Sequence, residues 1–256
     1  MSLGRFYCPA LSPGSAVLPE EESHHAIASL RAGIGDEVIL FDGVGGEASG
    51  RIERIETRRV HVAVGHISRH RRKLPIALTI AVAMVKAHRQ AYLIEKCTEL
   101  GAAAIWPVTT ERSVAKPSAS SVVKWRRRAI EAAKQSHRRW VPTIEPPQSF
   151  ASAMGQVRRF DAIALAHPVG ARESLATLLS GLRDEASVLV WVGPEGGWTD
   201  AERDQAIRAG AAPVSLSPTV LRTETAAVAA CAAAAMLGAD RANPGGTQRS
   251  SLPYPA

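Results

Sequence analysis

Cysteine is scarce in this chain. Cys8, Cys97 and Cys231 stand alone with no CxxC pair, which argues for reduced thiols rather than a disulfide framework. Long apolar runs are missing as well, since no stretch reaches the roughly 18 residues needed to cross a bilayer. The nearest, Ala226 to Ala239, is alanine-rich and includes Gly238, which suits a buried or interface helix. Past Arg5, the N-terminus reads Cys8-Pro9-Ala10-Leu11-Ser12-Pro13-Gly14, too broken by proline for a signal-peptide core. These absences point to a cytoplasmic protein that does not enter a membrane. Metal chemistry lacks support too: His24-His25, His61, His66 and His70 are read as forming no ligand set, and no Walker P-loop is present.

Acidic residues are few in one region only. Residues 74–140 carry 12 Lys+Arg against 4 Asp+Glu, whereas residues 1–73 carry 10 against 9 and residues 141–256 carry 9 against 11. The net charge of +7 therefore originates in the middle of the chain, and 25 of the 31 cations are arginine. Arginine forks match phosphate and stack on exposed bases, so a local basic excess is either a nucleic-acid footprint or a solvated basic surface.

At 256 residues and 46% hydrophobic, the chain can form one large domain or two modest ones. Its first 73 residues read as β-rich. Glu37–Phe41 and Arg59–Val64 have strand composition, Ser49–Ile55 alternates less cleanly, and His24–Leu30 suits a short helix. Short strands of this kind can close into a small barrel. Gly43-Val44-Gly45-Gly46-Glu47-Ala48 fits a dinucleotide-binding pattern, yet a strand follows it where a helix is required, so it reads as a hairpin turn. The polar stretch Ser68 to Lys73 predicts a domain boundary.

From Ile76 the pattern alternates. Strands are expected at Ile76–Val82, Ala103–Val108, Asp161–Ala166, Val188–Val192 and Pro213–Leu216. Helices are expected at His88–Leu100, Val122–Gln135, Ser174–Leu179, Thr199–Ala209 and Thr223–Leu237. Such alternation indicates an α/β unit over residues 74–240 with a parallel sheet. The remainder, residues 241–256, reads as a disordered tail.

Two turns in the last third carry the most information. Val188-Leu189-Val190-Trp191-Val192 runs into Gly193-Pro194-Glu195-Gly196-Gly197-Trp198 and then the capping box Thr199-Asp200-Ala201-Glu202. Val214-Ser215-Leu216 runs into Ser217-Pro218-Thr219-Val220-Leu221-Arg222-Thr223-Glu224-Thr225-Ala226. Each strand breaks at glycine or proline and restarts as a helix, which exposes backbone at the carboxyl-end crevice where open α/β sheets bind ligands.

The GPEGG and LRTETA wordings together resemble the RsmE family of 16S rRNA uridine-N3 methyltransferases, a branch of the SPOUT superfamily. Further echoes are Lys96-Cys97-Thr98-Glu99-Leu100-Gly101, Glu111-Arg112-Ser113 and the stretch from Glu131 to Arg138, so the resemblance spans roughly Arg5 to Leu237. It implies an α/β trefoil-knot catalytic domain preceded by a small PUA-like β-barrel that helps bind RNA. It further implies a homodimer, S-adenosylmethionine as methyl donor without a metal, and a uridine of 16S rRNA in the small ribosomal subunit as target. By that resemblance Val192, Gly193, Gly196, Gly197, Leu216, Val220 and Leu221 hold the donor. Arg222, Glu224 and Glu195 are the catalytic candidates, and Lys86, Arg89, Arg112, Gln135 and Arg138 are the RNA-binding ones. Ser217 departs from the glycine that the family commonly has. A SPOUT enzyme acting on another RNA, or an RNA-binding module that lost catalysis, would share much of this wording.

Overall fold

The computed structural model describes residues 4–70, 76–115, 117–167 and 170–242. Its N-terminal part contains β1 (Gly4–Tyr7), β2 (Gly14–Val17), α1 (Glu20–His24, continued by a π-turn over His25–Ser29), β3 (Glu37–Phe41), β4 (Gly46–Glu56), β5 (Arg59–Val64) and β6 (Ser68–Arg69). These strands form one six-stranded sheet in the order β1-β3-β4-β5-β2, with β6 on β4. Alternation explains it: Val60, Val62 and Val64 point inward from β5, joining Phe6, Leu18, Leu40 and Ile52 in a single core. The Asp42–Gly46 segment is the expected hairpin, since Phe41 pairs with Glu47 in an antiparallel ladder. Ser68 and Arg69, expected to be linker, instead form β6, and Arg69 Nη1 lies 2.7 Å from Asp42 Oδ2.

The larger part contains β7 (Ile76–Ala83), α2 (Ala87–Glu99), β8 (Ala104–Thr109), α3 (Ala119–Gln135), β9 (Thr143–Ile144), β10 (Gln148–Ser149), α4 (Phe150–Met154) and β11 (Ala162–Ala166). It continues with β12 (Glu173–Ser174), α5 (Leu175–Ser180), β13 (Ala186–Val192), α6 (Asp200–Arg208), β14 (Ala212–Ser215) and α7 (Thr223–Ala242). Helix α7 extends beyond the expected Leu237, while residues 243–256 of the predicted tail lie outside the described residues. Every ladder in this eight-stranded sheet is parallel, in the order β10-β8-β7-β13-β11-β14-β12 with β9 on β8.

Helices cover both faces, so β13 is apolar throughout rather than alternating. Val188, Val190 and Val192 enter a core shared with α2, α3, α5 and α7. Leu189 and Trp191 enter the opposite core with Phe150, Trp106 and Trp198. Strand β14 pairs with β11 on one side and β12 on the other, so the chain returns to insert between two strands already joined by a short connection.

Polar contacts fasten the two sheets together. Arg5 pairs with Glu47 and donates to the Arg138 carbonyl at 3.1 Å, and Arg139 Nε reaches Glu47 Oε1 at 2.9 Å. Val44 and Trp140 form a β-bridge, and the Val141 amide donates to the Gly43 carbonyl. Lys134 Nζ meets Glu22 at 3.1 Å, with both side chains less than a tenth exposed. Burial pushes the Glu22 carboxyl up while the Lys134 ammonium pulls it back. A buried pair of this kind specifies one docking geometry more than it adds stability, because desolvation offsets much of the attraction.

Candidate active site

Strand register decides what meets at the site. Val82 of β7 lies opposite Val192 of β13, Val192 opposite Ala166 of β11, and Ala166 opposite Val214 of β14. On the other flank Ala83 lies opposite Val108 of β8. The segments after these five strands therefore leave one carboxyl-end edge together. They include Lys86, Glu111–Ser113, Gly193–Trp198 and Leu216–Arg222.

The first turn is fixed from three sides. The Gly197 amide donates to the Pro194 carbonyl, and Gly197 takes φ +71°, a conformation that side chains resist. Thr199 and Glu202 form the expected capping box, and Glu202 Oε1 also accepts the Glu111 amide at 2.9 Å. Arg112 Nη1 donates to the Gly196 carbonyl at 3.0 Å, so the Glu111-Arg112-Ser113 segment lies across the glycine turn. Gly193 packs flat on the buried Trp198 ring, and a Cβ there would sit 2.9 Å from the indole.

The second turn borders a hollow of about 100 Å³ lined by Ala166, Val214, Leu216, Val220, Leu221 and Ala226. Val220 is 90% exposed at its rim. Ser217 directs its hydroxyl into its own turn, 3.0 Å from the Thr219 hydroxyl and accepting the Thr219 amide at 3.2 Å. A roomier groove of about 460 Å³ lies elsewhere, between β1, β3 and the end of α3. Its lining includes Gly4 at the start of β1 and no residue of the two turns.

Two links join the turns. The Thr223 hydroxyl donates to the Gly193 carbonyl at 2.9 Å. Arg89 Nη1, from the first turn of α2, reaches Glu195 Oε1 at 3.0 Å and Glu224 Oε2 at 3.4 Å. Arg222 is exposed, with no ion pair among the described residues. The fold thus brings together Val192, Gly193, Glu195, Gly196, Gly197, Leu216, Val220, Leu221, Arg222 and Glu224, with Lys86, Arg89 and Arg112 beside them. Gln135 and Arg138 lie apart, at the end of α3. Gln135 is exposed and lines the roomier groove. Arg138 folds onto the end of α2, donating to the Glu99 carbonyl at 3.2 Å, and burial lowers its tendency to hold charge. Sequence reasoning missed Thr223, whose only signal was its position immediately before Glu224, and the ion pairs of Arg89.

Residues 72–235 match the family model of an RNA methyltransferase domain, and residues 18–65 that of an RNA methyltransferase PUA domain. Ribosomal RNA small subunit methyltransferase E of Synechocystis sp. is 33% identical over 221 residues, covering 85% of this chain and 72% of that protein. Its namesake in Bacillus subtilis is 32% identical, over 83% of this chain and 86% of that one. The chain belongs to this methyltransferase E family. The crystal structure of a family member from Neisseria gonorrhoeae bound to S-adenosylmethionine superposes with a TM-score of 0.82 at 31% identity, covering 92% of this chain and 98% of that one. The architecture is accordingly a PUA-like β-domain followed by the α/β knot of the SPOUT methyltransferases, with the β14 insertion in its C-terminal part.

The contact between Gly193 and Trp198 yields a direct prediction. Gly193→Ala pushes a methyl group into a buried indole held by Phe150 and Trp191. The expected cost is about 1–3 kcal/mol of stability, the usual penalty for overpacking. Urea unfolding followed by tryptophan fluorescence measures it, and an unchanged midpoint would contradict the packing described.

Proposed function

We propose that the protein transfers a methyl group from S-adenosylmethionine to N3 of a specific uridine in 16S rRNA, in the small ribosomal subunit and in the cytoplasm. The observation that carries this reading is the convergence of the two turns, Gly193–Gly197 and Leu216–Arg222, tied by Thr223 and Arg89 at one sheet edge. Residues 1–73 form the RNA-gripping unit and residues 74–240 the catalytic one.

The residues fit the donor. Gly197 has no atom within 4 Å of the place a Cβ would take, which leaves its backbone open to close approach, while Gly193 and Gly196 rest against Trp198 and Arg112. Leu216, Val220 and Leu221 supply apolar walls that suit a nucleoside. Val192 is buried in the core at the end of β13, immediately before the glycine turn. S-adenosylmethionine supplies an electrophilic methyl on a sulfonium, whose bonding pair stays with sulfur as the N3 lone pair takes the carbon. N3 bears a proton on its Watson–Crick edge, so the uridine must be unpaired or flipped and the proton removed. Arg222, free at the mouth of the second turn, stabilises negative charge developing on O2 or O4. Glu195 and Glu224 are the carboxylates near enough to serve proton removal. Exposed Lys86 and Gln135, with Arg112, contact the RNA backbone and set its approach.

A homodimer follows from the same reading. Helix α7 carries small side chains that permit close helix packing, and its Met236 is 69% exposed. Sedimentation at micromolar concentration should return a dimer, and a monomer would refute it.

Calorimetry should detect S-adenosylmethionine binding to the isolated protein. Arg222→Ala should leave that affinity nearly intact while lowering the single-turnover rate on small subunits by about two orders of magnitude. Absence of donor binding would remove the methyltransferase reading. Equal losses of binding and rate would make Arg222 a clamp on the donor turn.

A further inference from the structure

One guanidinium serves two carboxylates from different turns. Arg89 Nη1 contacts Glu195 in the glycine turn and Glu224 in the first turn of α7, and the Arg89 side chain is 23% exposed. Sequence alone grouped Arg89 with the cations that meet RNA. A nitrogen engaged by two carboxylates is a poor phosphate ligand, because either pair must break first. The two carboxylates differ sharply. Glu224 is 8% exposed and sits in the first turn of the 20-residue helix α7, so it is a fixed anchor. Glu195 is 38% exposed, on the turn that leaves the carboxyl end of β13.

We infer that Arg89 is a positioning residue that hangs from Glu224 and holds Glu195 at the crevice mouth, and that Glu195 is the catalytic residue accepting the N3 proton. This rests on the methyl-transfer reading. In the step, the N3–H bond breaks and its proton passes to a Glu195 carboxylate oxygen. The nitrogen pair forms the N–CH3 bond, and the sulfur keeps the pair of the bond it loses. Glu195 then releases the proton to water, which its exposure permits and the burial of Glu224 does not. Arg89 keeps Glu195 from turning toward solvent, while Thr223 fixes the start of α7 to Gly193 so that the anchor and the turn move as one body.

The test compares Arg89→Gln, Arg89→Lys and Glu195→Gln with the wild-type chain. Amide hydrogen exchange on the protein alone reads the clamp without requiring activity. Arg89→Gln should speed exchange of the Glu195–Trp198 turn and the first turn of α7 about tenfold, and Arg89→Lys should restore most of the protection. On small subunits, Arg89→Gln and Glu195→Gln should each lower kcat by about 10² with KM for RNA changed less than threefold, and Arg89→Lys should recover part of kcat. Unchanged exchange in both segments would overturn the clamp. A raised KM with intact kcat in Arg89→Gln would return Arg89 to RNA binding. Full activity in Glu195→Gln would overturn the proton assignment. A wild-type chain that showed the clamp yet transferred no methyl group would overturn the methyl-transfer reading and the proton role with it, leaving the clamp standing.

Discussion

The insertion of β14 between β11 and β12 is the constraint on which the site depends. Only four residues long, β14 is hydrogen-bonded on both sides, and its Val214 is fully buried. The pairing fixes where Leu216 emerges, with β11 lying between it and the end of β13. The segment to Arg222 must then pass close to Gly193 before α7 begins. The Thr223 hydroxyl on the Gly193 carbonyl follows from that proximity, as does the reach of Arg89 to both carboxylates. A slip of the β14 register by one residue would turn Val214 out of the core and move the whole second turn.

A second set of contacts determines how the β-rich unit sits on this catalytic frame. The segment after α3 does most of it, through the Arg138 carbonyl, the Arg139 side chain and the Trp140 bridge to Val44. Much of the basic excess of the middle segment is spent internally. Arg127 pairs with Glu21, Arg128 with Glu95 at 3.5 Å, and Lys134 with Glu22. Arg138 reaches back to the end of α2, whose first turn carries Arg89. A single helix thus touches the docking contact at one end and the carboxylate clamp at the other.

Local signals were readable from sequence. The Val188–Val192 strand, the glycine turn behind it and the Thr199/Glu202 capping box follow from chain chemistry within the single stretch Val188–Glu202. So does the hairpin at Asp42–Gly46. Strands β1 and β2 were not legible, because four residues acquire strand geometry from distant partners, Val38–Phe41 and His61–Val64. Ser68-Arg69 reads as linker for the same reason. The Arg89 and Glu224 side chains stand 135 residues apart in sequence, and no local pattern marks a partner at that distance. Gln135 and Arg138 look alike at a helix exit, yet one meets solvent and the other folds onto α2. The two turns were legible because glycine and proline break the chain locally after each strand, whereas the contacts of Arg89 and Thr223 that tie them together are a product of topology.

The most direct test of the methyl-transfer account is mass mapping of methyluridines in 16S rRNA from a strain lacking this gene. The account predicts loss of one N3-methyluridine, restored by the wild-type chain and not by Arg222→Ala. An unchanged set of modified uridines would contradict it.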